Sequence, residues 1–242
     1  RIYCVGRNYA AHAREMGGDP NREPPFFFTK PADAVVPCPK TTTTGDSDVV
    51  SVPYPLATED LHHEIELVVA IGQGGVRIEV HQAMHHIYGF AVGVDLTRRD
   101  LQAVAKQLAR PWDSAKAFDH SAPVSSIVPL TELLDTSTEA VHSDTNHWIR
   151  DLTSDTTEMG LSPRTKSPSI WILVNGEERQ RGSLEQMTWS VPEIISILSQ
   201  QFHLQPGDLI FTGTPAGVGP LQKGDLVQGG VDGLNEIQFN IS

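Results

Sequence analysis

The segment Glu64 to Ile71, EIELVVAI, constrains the fold more than any other part of the sequence. It is the strongest strand signal in the first half, and Gly72-Gln73-Gly74-Gly75 ends it with a turn. The continuation Leu67 to Ile71 is apolar without a break, so the strand is expected to be buried along most of its length, with the two acids at its inner end. A short helix at about Val80 to Ile87 then leads into a second apolar strand, Tyr88 to Asp95.

The rest of the pattern is strand-rich. Arg1 to Gly6 reads as a short strand, and Phe26-Phe27-Phe28-Thr29-Lys30 as another, confined by Pro24, Pro25 and Pro31. Ile170 to Val174 precedes Asn175-Gly176, the best hairpin signal in the chain. Helices are few. Asn8 is expected to cap a helical turn through Met16, and Asp100 to Leu108 is an amphipathic helix stopped by Pro111-Trp112. Ser190-Val191-Pro192-Glu193 is a capping-box pattern opening a helix to about Phe202. The alternation of elements is too irregular for a doubly wound sheet, so the expected class is α+β, mostly β.

Length fits one large domain or two small ones. The stretch from Thr136 to Pro168 holds twelve Ser or Thr and few core-type residues, which marks an inserted polar segment and not a domain boundary. Residues 1–242 are therefore read as a single domain.

Charge and cysteine usage exclude several classes. With 30 Asp and Glu against 18 Lys and Arg the formal charge is −12, and no basic run offers a footprint for nucleic acid. The same balance at first sight disfavours anionic substrates. No stretch approaches the roughly 18 apolar residues of a membrane span. Cys4 and Cys38 lie in unrelated contexts, so neither a disulfide framework nor a zinc site is expected. A reducing compartment follows, cytoplasmic or mitochondrial, and the opening at Arg1 leaves room for a removed transit peptide.

The chemistry-bearing residues gather in a few motifs. Glu64 and Glu66 alternate in a strand and leave the same face, where two carboxylates repel unless a cation lies between them. Asp95, at the end of the second apolar strand, can bring a third oxygen ligand, a set suited to Mg²⁺ or Mn²⁺ over zinc. The same spacing also suits the solvated face of a half-buried strand. His62 shares the Glu64 face, as a ligand, a supporting hydrogen-bond partner or a surface histidine. His12 and Glu15 are neighbours on one face if the Asn8 to Met16 stretch is helical, and a carboxylate beside an imidazole builds a general base for water. Such pairs are also common on surfaces. Lys116 lies in a loop bounded by Pro111, Trp112 and Phe118, where an exposed cation is the plain alternative. The Gly213 to Gly219 segment lacks the phosphate-loop ending but offers backbone N–H groups for a carboxylate or oxyanion.

Taken together, VGRNYAAHAREM, FFFTKP, LHHEIELVVAIG, GFAVGVDLTRRDLQ, PWDSAKAFD, VNGEERQRG and PGDLIFTGTPAGVGPLQKGD resemble the fumarylacetoacetate hydrolase family, in particular its small acylpyruvate hydrolase and oxaloacetate decarboxylase branch. The resemblance runs in order along nearly the whole chain. It implies a layered β-roll, a homodimer, and a divalent ion, Mg²⁺ or Mn²⁺, held by Glu64, Glu66 and Asp95. It also implies that His12 and Glu15 form the water-activating dyad on a mobile lid, and that Gln102 and Lys116 reach the substrate. Thr214 would offer its backbone to a substrate oxygen, and Arg7 and Lys30 sit in matching motifs near the same pocket. The departure is the 136–168 segment, where small members have a much shorter connection. The implied activity is C–C cleavage of acylpyruvates, in which Lys116 stabilises the developing oxyanion, with decarboxylation of oxaloacetate on the same site. Alternatives are an isomerase or tautomerase of keto or unsaturated dicarboxylates, and a catalytically silent binding protein of the same fold. The substrate is then a small anionic keto acid drawn by a local positive field, despite the net charge.

Overall fold

The computed structural model of the chain describes residues 1–17, 23–39, 49–134 and 167–242. All but the last two residues of the polar 136–168 segment lie outside them.

The principal sheet runs, in spatial order, through Phe26–Lys30, Ile2–Gly6, Leu209–Phe211, Ile65–Ile71, Ile87–Val94, Ala122–Val124 and Val35–Pro37, and Val128–Pro129 also pairs with Ile87–Val94. A second sheet orders Glu177–Ser183, Ser169–Val174, Leu226–Val231, Ile237–Ile241 and Val50–Val52. A small third sheet joins Gly219–Leu221, Leu61–His63 and Thr97–Arg98. Mostly β with few helices, this is the expected α+β class.

Ile65–Ile71 is buried at every position because its two faces serve different cores. Ile65, Leu67 and Val69 join Ile170, Ile172, Val227 and Phe239 between the sheets. Val68 faces the other way, into a smaller cluster with Ile2, Cys4, Ala91 and Phe211. Burying each such side chain stabilises the fold by about 1.5–3 kcal/mol, so the continuous apolar run follows from position. Antiparallel pairing sets Glu66 opposite Gly93 and Ile65 opposite Val94. A Cβ on Gly93 would lie 2.6 Å from both Phe211 Cε1 and Val68 Cγ2, so only glycine lets the Phe211 ring close over this strand pair.

Local signals hold at the Asn175-Gly176 turn, where both residues take positive φ (55° and 80°) as a type I′ hairpin requires. They hold again at the Val191–Gln201 helix, where the Glu193 carboxylate accepts from Ser190 N at 3.0 Å and Ser190 Oγ at 2.8 Å. Three expectations need correction. Asn8 caps no helix: the Ala10–Glu15 helix begins after Tyr9. Buried Asn8 instead donates to Trp189 O and Thr212 O and accepts from Trp189 N, three long-range bonds that satisfy its amide better than one cap. The short helix expected at about Val80 to Ile87 is present, as a 3₁₀ helix over Val80–His86. Glu64 lies between the Leu61–His63 and Ile65–Ile71 strands, which pair in different sheets. Lys116 is no exposed loop cation: it ends the Asp113–Lys116 helical turn and is 2% exposed.

Candidate metal centre and cleft

The switch of the chain from one sheet to another at Glu64 turns that side chain toward the strand ends where Glu66 and Asp95 point. Asp95 N donates to Glu64 O at 2.8 Å and locks the two ends together. One carboxylate oxygen from each of Glu64, Glu66 and Asp95 lies within 4.8 Å of the others, and all three residues are buried. Three cations answer them. Lys116 Nζ donates to Glu64 Oε2 (2.7 Å), Asp95 Oδ2 (2.6 Å) and Thr97 Oγ1 (2.6 Å). Arg99 Nη2 reaches Glu64 Oε1 at 2.6 Å, and Lys30 Nζ lies 2.8 Å from Asp95 Oδ1. Lys30 also donates to the carbonyls of Leu96 and Lys116, so its ammonium braces the chain at both residues.

The electrostatics are uneven across the triad. Burial works to raise the Glu64 pKa, but Lys116 and Arg99 outweigh it and hold the carboxyl far below the usual range. Burial, with Asp95 and Glu64 beside it, pushes the Glu66 carboxyl well up, and its bond from Gly213 N at 2.7 Å only partly opposes this. Burial lowers Lys116, yet Asp95 and Glu64 more than compensate and its pKa is raised. Three buried carboxylates thus share one centre at a cost that falls on Glu66. A hard divalent ion among these oxygens would remove that repulsion, and oxygen-only donors suit Mg²⁺ or Mn²⁺. The donor set fits the group.

His12 lies on the same cleft, 7% exposed, with Nδ1 3.1 Å from Glu15 Oε2. Gly217 N donates to Glu15 Oε1 at 3.0 Å and Oε2 at 3.2 Å. The Gly213–Gly219 segment therefore does cradle carboxylates, and they are the protein's own: Glu66 at Gly213 and Glu15 at Gly217. Behind it stands Gln180, which donates from Nε2 to Thr214 Oγ1 (2.8 Å) and Pro215 O (2.7 Å). Because Pro215 O only accepts, Gln180 Oε1 is the atom left to accept from Ile65 N (3.1 Å) and His63 Nδ1 (2.9 Å). His63, not His62, is the histidine tied into this support, and burial lowers its pKa. His62 pairs with Asp60 at 2.9 Å, away from the triad.

The cleft is lined by His12, Glu64, Glu66, Asp95, Lys116 and Thr214 together with Arg7, Phe28, Arg99, Gln102, Lys106 and Trp112, with about 30 Å³ of free space, room for about two waters. Gln102 is buried, and its Oε1 accepts from Arg99 Nη1 at 2.6 Å. Of the residues singled out in the sequence, Arg7, His12, Glu64, Glu66, Asp95, Gln102, Lys116 and Thr214 line this cleft, Glu15 and Lys30 are bonded to residues that do, and His62 does neither. Sequence reasoning missed Arg99, Thr97 and Gln180. Arg99 had a signal: with Gln102 and Lys106 it makes the i, i+3, i+7 face of the Arg99–Gln107 helix. Gln180 had none, because its partners lie 34 and more residues away.

This arrangement can be set beside known proteins. The fumarylacetoacetate (FAA) hydrolase C-terminal family pattern matches residues 1–242. A mitochondrial oxaloacetate tautomerase of Arabidopsis thaliana is 37% identical over 241 residues, covering 100% of this chain and 90% of its own. A fumarylpyruvate hydrolase of a Ralstonia species is 37% identical over 223 residues, covering 92% and 95%. The crystal structure of fumarylpyruvate hydrolase from Pseudomonas aeruginosa, in complex with Mn²⁺ and pyruvate, superposes with a TM-score of 0.81 at 45% identity, covering 100% of this chain and 88% of that one. With a buried three-carboxylate centre, a histidine–glutamate pair beside it and a match over its whole length, the chain belongs to the fumarylacetoacetate hydrolase family.

Proposed function

We propose that the protein is a divalent-metal-dependent hydrolase that cleaves the C–C bond of acylpyruvates, and that the same site decarboxylates or tautomerises oxaloacetate. The observation that carries this reading is the buried Glu64–Glu66–Asp95 centre beside the His12–Glu15 pair in one cleft. Glu64, Glu66 and Asp95 hold the ion, Mg²⁺ or Mn²⁺, which supplies Lewis acidity to the keto-acid oxygens. Lys116, Gln102 and the Thr214 backbone orient the substrate. His12, fixed by Glu15, takes a proton from water as its oxygen attacks the distal carbonyl carbon. Lys116, exchanging one of its protein bonds, donates to the oxyanion. The C–C bond then breaks, its electron pair passes to the pyruvyl fragment as an enolate, and the proton held on His12 returns to that carbon.

The tautomerase reading has its own support in the Arabidopsis relative. It needs proton transfer but no attacking water, so substrate profiling of His12→Ala separates the two. Among the described residues the outer edge of the Phe26–Lys30 strand has no strand paired to it, and with Phe26 exposed this supports a homodimer; light scattering at the mass of one chain would rule that out. A mitochondrial relative and the absence of any helix among the described residues long and apolar enough to cross a membrane fit a mitochondrial or cytoplasmic setting. The deciding experiment is acetylpyruvate turnover with Mg²⁺ or Mn²⁺, abolished by EDTA and in Glu66→Ala. Turnover without metal overturns the mechanism.

A further inference from the structure

The three contacts that hold the Lys116 ammonium are not equivalent. An ammonium has only three N–H donors, and here they go to Glu64 Oε2 at 2.7 Å, Asp95 Oδ2 at 2.6 Å and Thr97 Oγ1 at 2.6 Å. Glu64 and Asp95 line the cleft beside Lys116. Thr97 is fully buried and lies outside that lining, so it holds the ammonium from the protein side.

The polarity of the Thr97 contact is fixed. Its hydroxyl donates to Asp95 O at 3.1 Å, which leaves the oxygen free to accept from Lys116. The ammonium is thereby tied to the Asp95 backbone through a neutral group, as well as to the Asp95 side chain directly. Thr97 itself stands on regular structure. It opens the Thr97–Arg98 strand and pairs with His62 in the small third sheet, and its branched Cβ restricts where the hydroxyl can point.

The reaction makes different demands on the three contacts. Glu64 and Asp95 are also proposed to hold the ion, so their oxygens serve it and Lys116 together. Both carboxylates also neutralise the charge that Lys116 has to offer an oxyanion. A substrate oxygen entering from the cleft meets the ammonium on the side where those carboxylates lie, and with every N–H already used it must take the place of one of them. Thr97 is claimed neither by the ion nor by the substrate, and it carries no charge. Its bond is the one that persists.

We infer that Thr97 is a positioning residue for Lys116: its hydroxyl anchors the ammonium from behind without neutralising it, and so aims an N–H at the oxyanion that forms on the distal carbonyl. This rests on the role of Lys116 in the acylpyruvate reading above and deepens it.

The test uses the Mn²⁺-loaded protein and two ligands that are not cleaved. Pyruvate offers only the keto-acid end. The methylphosphinate analogue of acetylpyruvate adds a tetrahedral, anionic phosphorus in place of the distal carbonyl carbon, a mimic of the attacked state. Calorimetry should show the wild type binding the phosphinate more tightly than pyruvate, a preference lost in Lys116→Met. In Thr97→Val, which keeps the branched shape and removes the hydroxyl, the phosphinate-to-pyruvate affinity ratio should fall roughly tenfold, the scale of one hydrogen bond to a charged group. Thr97→Ala should show the same fall if Thr97→Val does not fold, and Thr97→Ser, which keeps the hydroxyl, should retain the wild-type ratio. A purely structural Thr97 would weaken both ligands together, so an unchanged ratio in the variants without the hydroxyl overturns the inference, as does an equal fall in Thr97→Ser. A preference that survives in Lys116→Met removes the oxyanion role of Lys116 and the inference with it. Because neither ligand is cleaved, the outcome is independent of the acetylpyruvate assay, which alone decides the hydrolase reading.

Discussion

Gly217 donates its backbone N–H to the Glu15 carboxylate at 3.0 and 3.2 Å, across 202 residues of sequence. The loop that follows the Leu209–Phe211 strand thereby fixes the partner of His12, and it fixes Glu66 through Gly213 as well. Glu15 and Glu66 are held by one backbone segment, so disturbing the loop should disturb both.

The dyad is expected to matter for hydrolysis more than for metal binding. His12→Ala should lower acetylpyruvate kcat by about 10²–10⁴-fold, the usual contribution of a positioned base. Glu15→Gln, which keeps a weaker partner for His12 Nδ1, should lose less. Stopped-flow assays under saturating Mn²⁺, with Mn²⁺ affinity measured in parallel, check this; a loss of metal affinity equal to the loss of rate would remove His12 from the chemistry.

Metal should act on stability as well as on rate. A ligand that binds only the folded chain adds about 2.7 kcal/mol at one hundred times its Kd, so Mg²⁺ or Mn²⁺ should raise the unfolding temperature and EDTA should reverse it. In Glu66→Ala the shift should vanish. Calorimetric scans of both proteins with and without metal read the effect directly.

Gln180 is a buried hub with four hydrogen-bond partners, His63, Ile65, Thr214 and Pro215. Gln180→Leu fills similar volume but strands at least the Ile65 N–H, and a buried unsatisfied group costs about 1–3 kcal/mol. Urea denaturation should show that loss. Activity should fall too, because Thr214 loses its brace; a stable, fully active variant would contradict the role given to Gln180.

Asp100 ties the helix carrying Arg99, Gln102 and Lys106 to the preceding loop. Its carboxylate accepts from Thr58 Oγ1 (2.7 Å), Leu101 N (2.8 Å) and Glu59 N (3.2 Å). Burial works against the charged form, but these donors outweigh it and hold the pKa below the ordinary 3.8. A depressed carboxylate stabilises the fold fully above its unfolded pKa and loses that contribution as pH falls through the folded value. Asp100→Asn should therefore cost about 1 kcal/mol at pH 6, a figure reduced by solvent screening, and the gap to wild type should close below pH 3.8. Denaturation midpoints from pH 6 to pH 3 measure it.

The sequence by itself determined the elements whose signals are local. The IELVVAI run became a strand buried on both faces, Asn175-Gly176 became a type I′ turn, and Ser190 with Glu193 opened a helix. The E-x-E spacing and the aspartate ending the next apolar strand were legible as a carboxylate set, but pairing of the Ile65–Ile71 and Ile87–Val94 strands and the change of sheet at Glu64 are what bring the three together. Only the tertiary structure decided the rest. It took Asn8 from a helix cap to a long-range brace, buried Lys116 among the acids, and assigned Gly213 and Gly217 to the protein's own carboxylates. It also brought in Arg99 and Gln180 as partners of the site, and set Lys106 on the wall of its cleft. The physical reason is common to all of them. A buried polar group must find its partner wherever the fold supplies one, and that partner's position is fixed by sheet order and register, which no local pattern encodes.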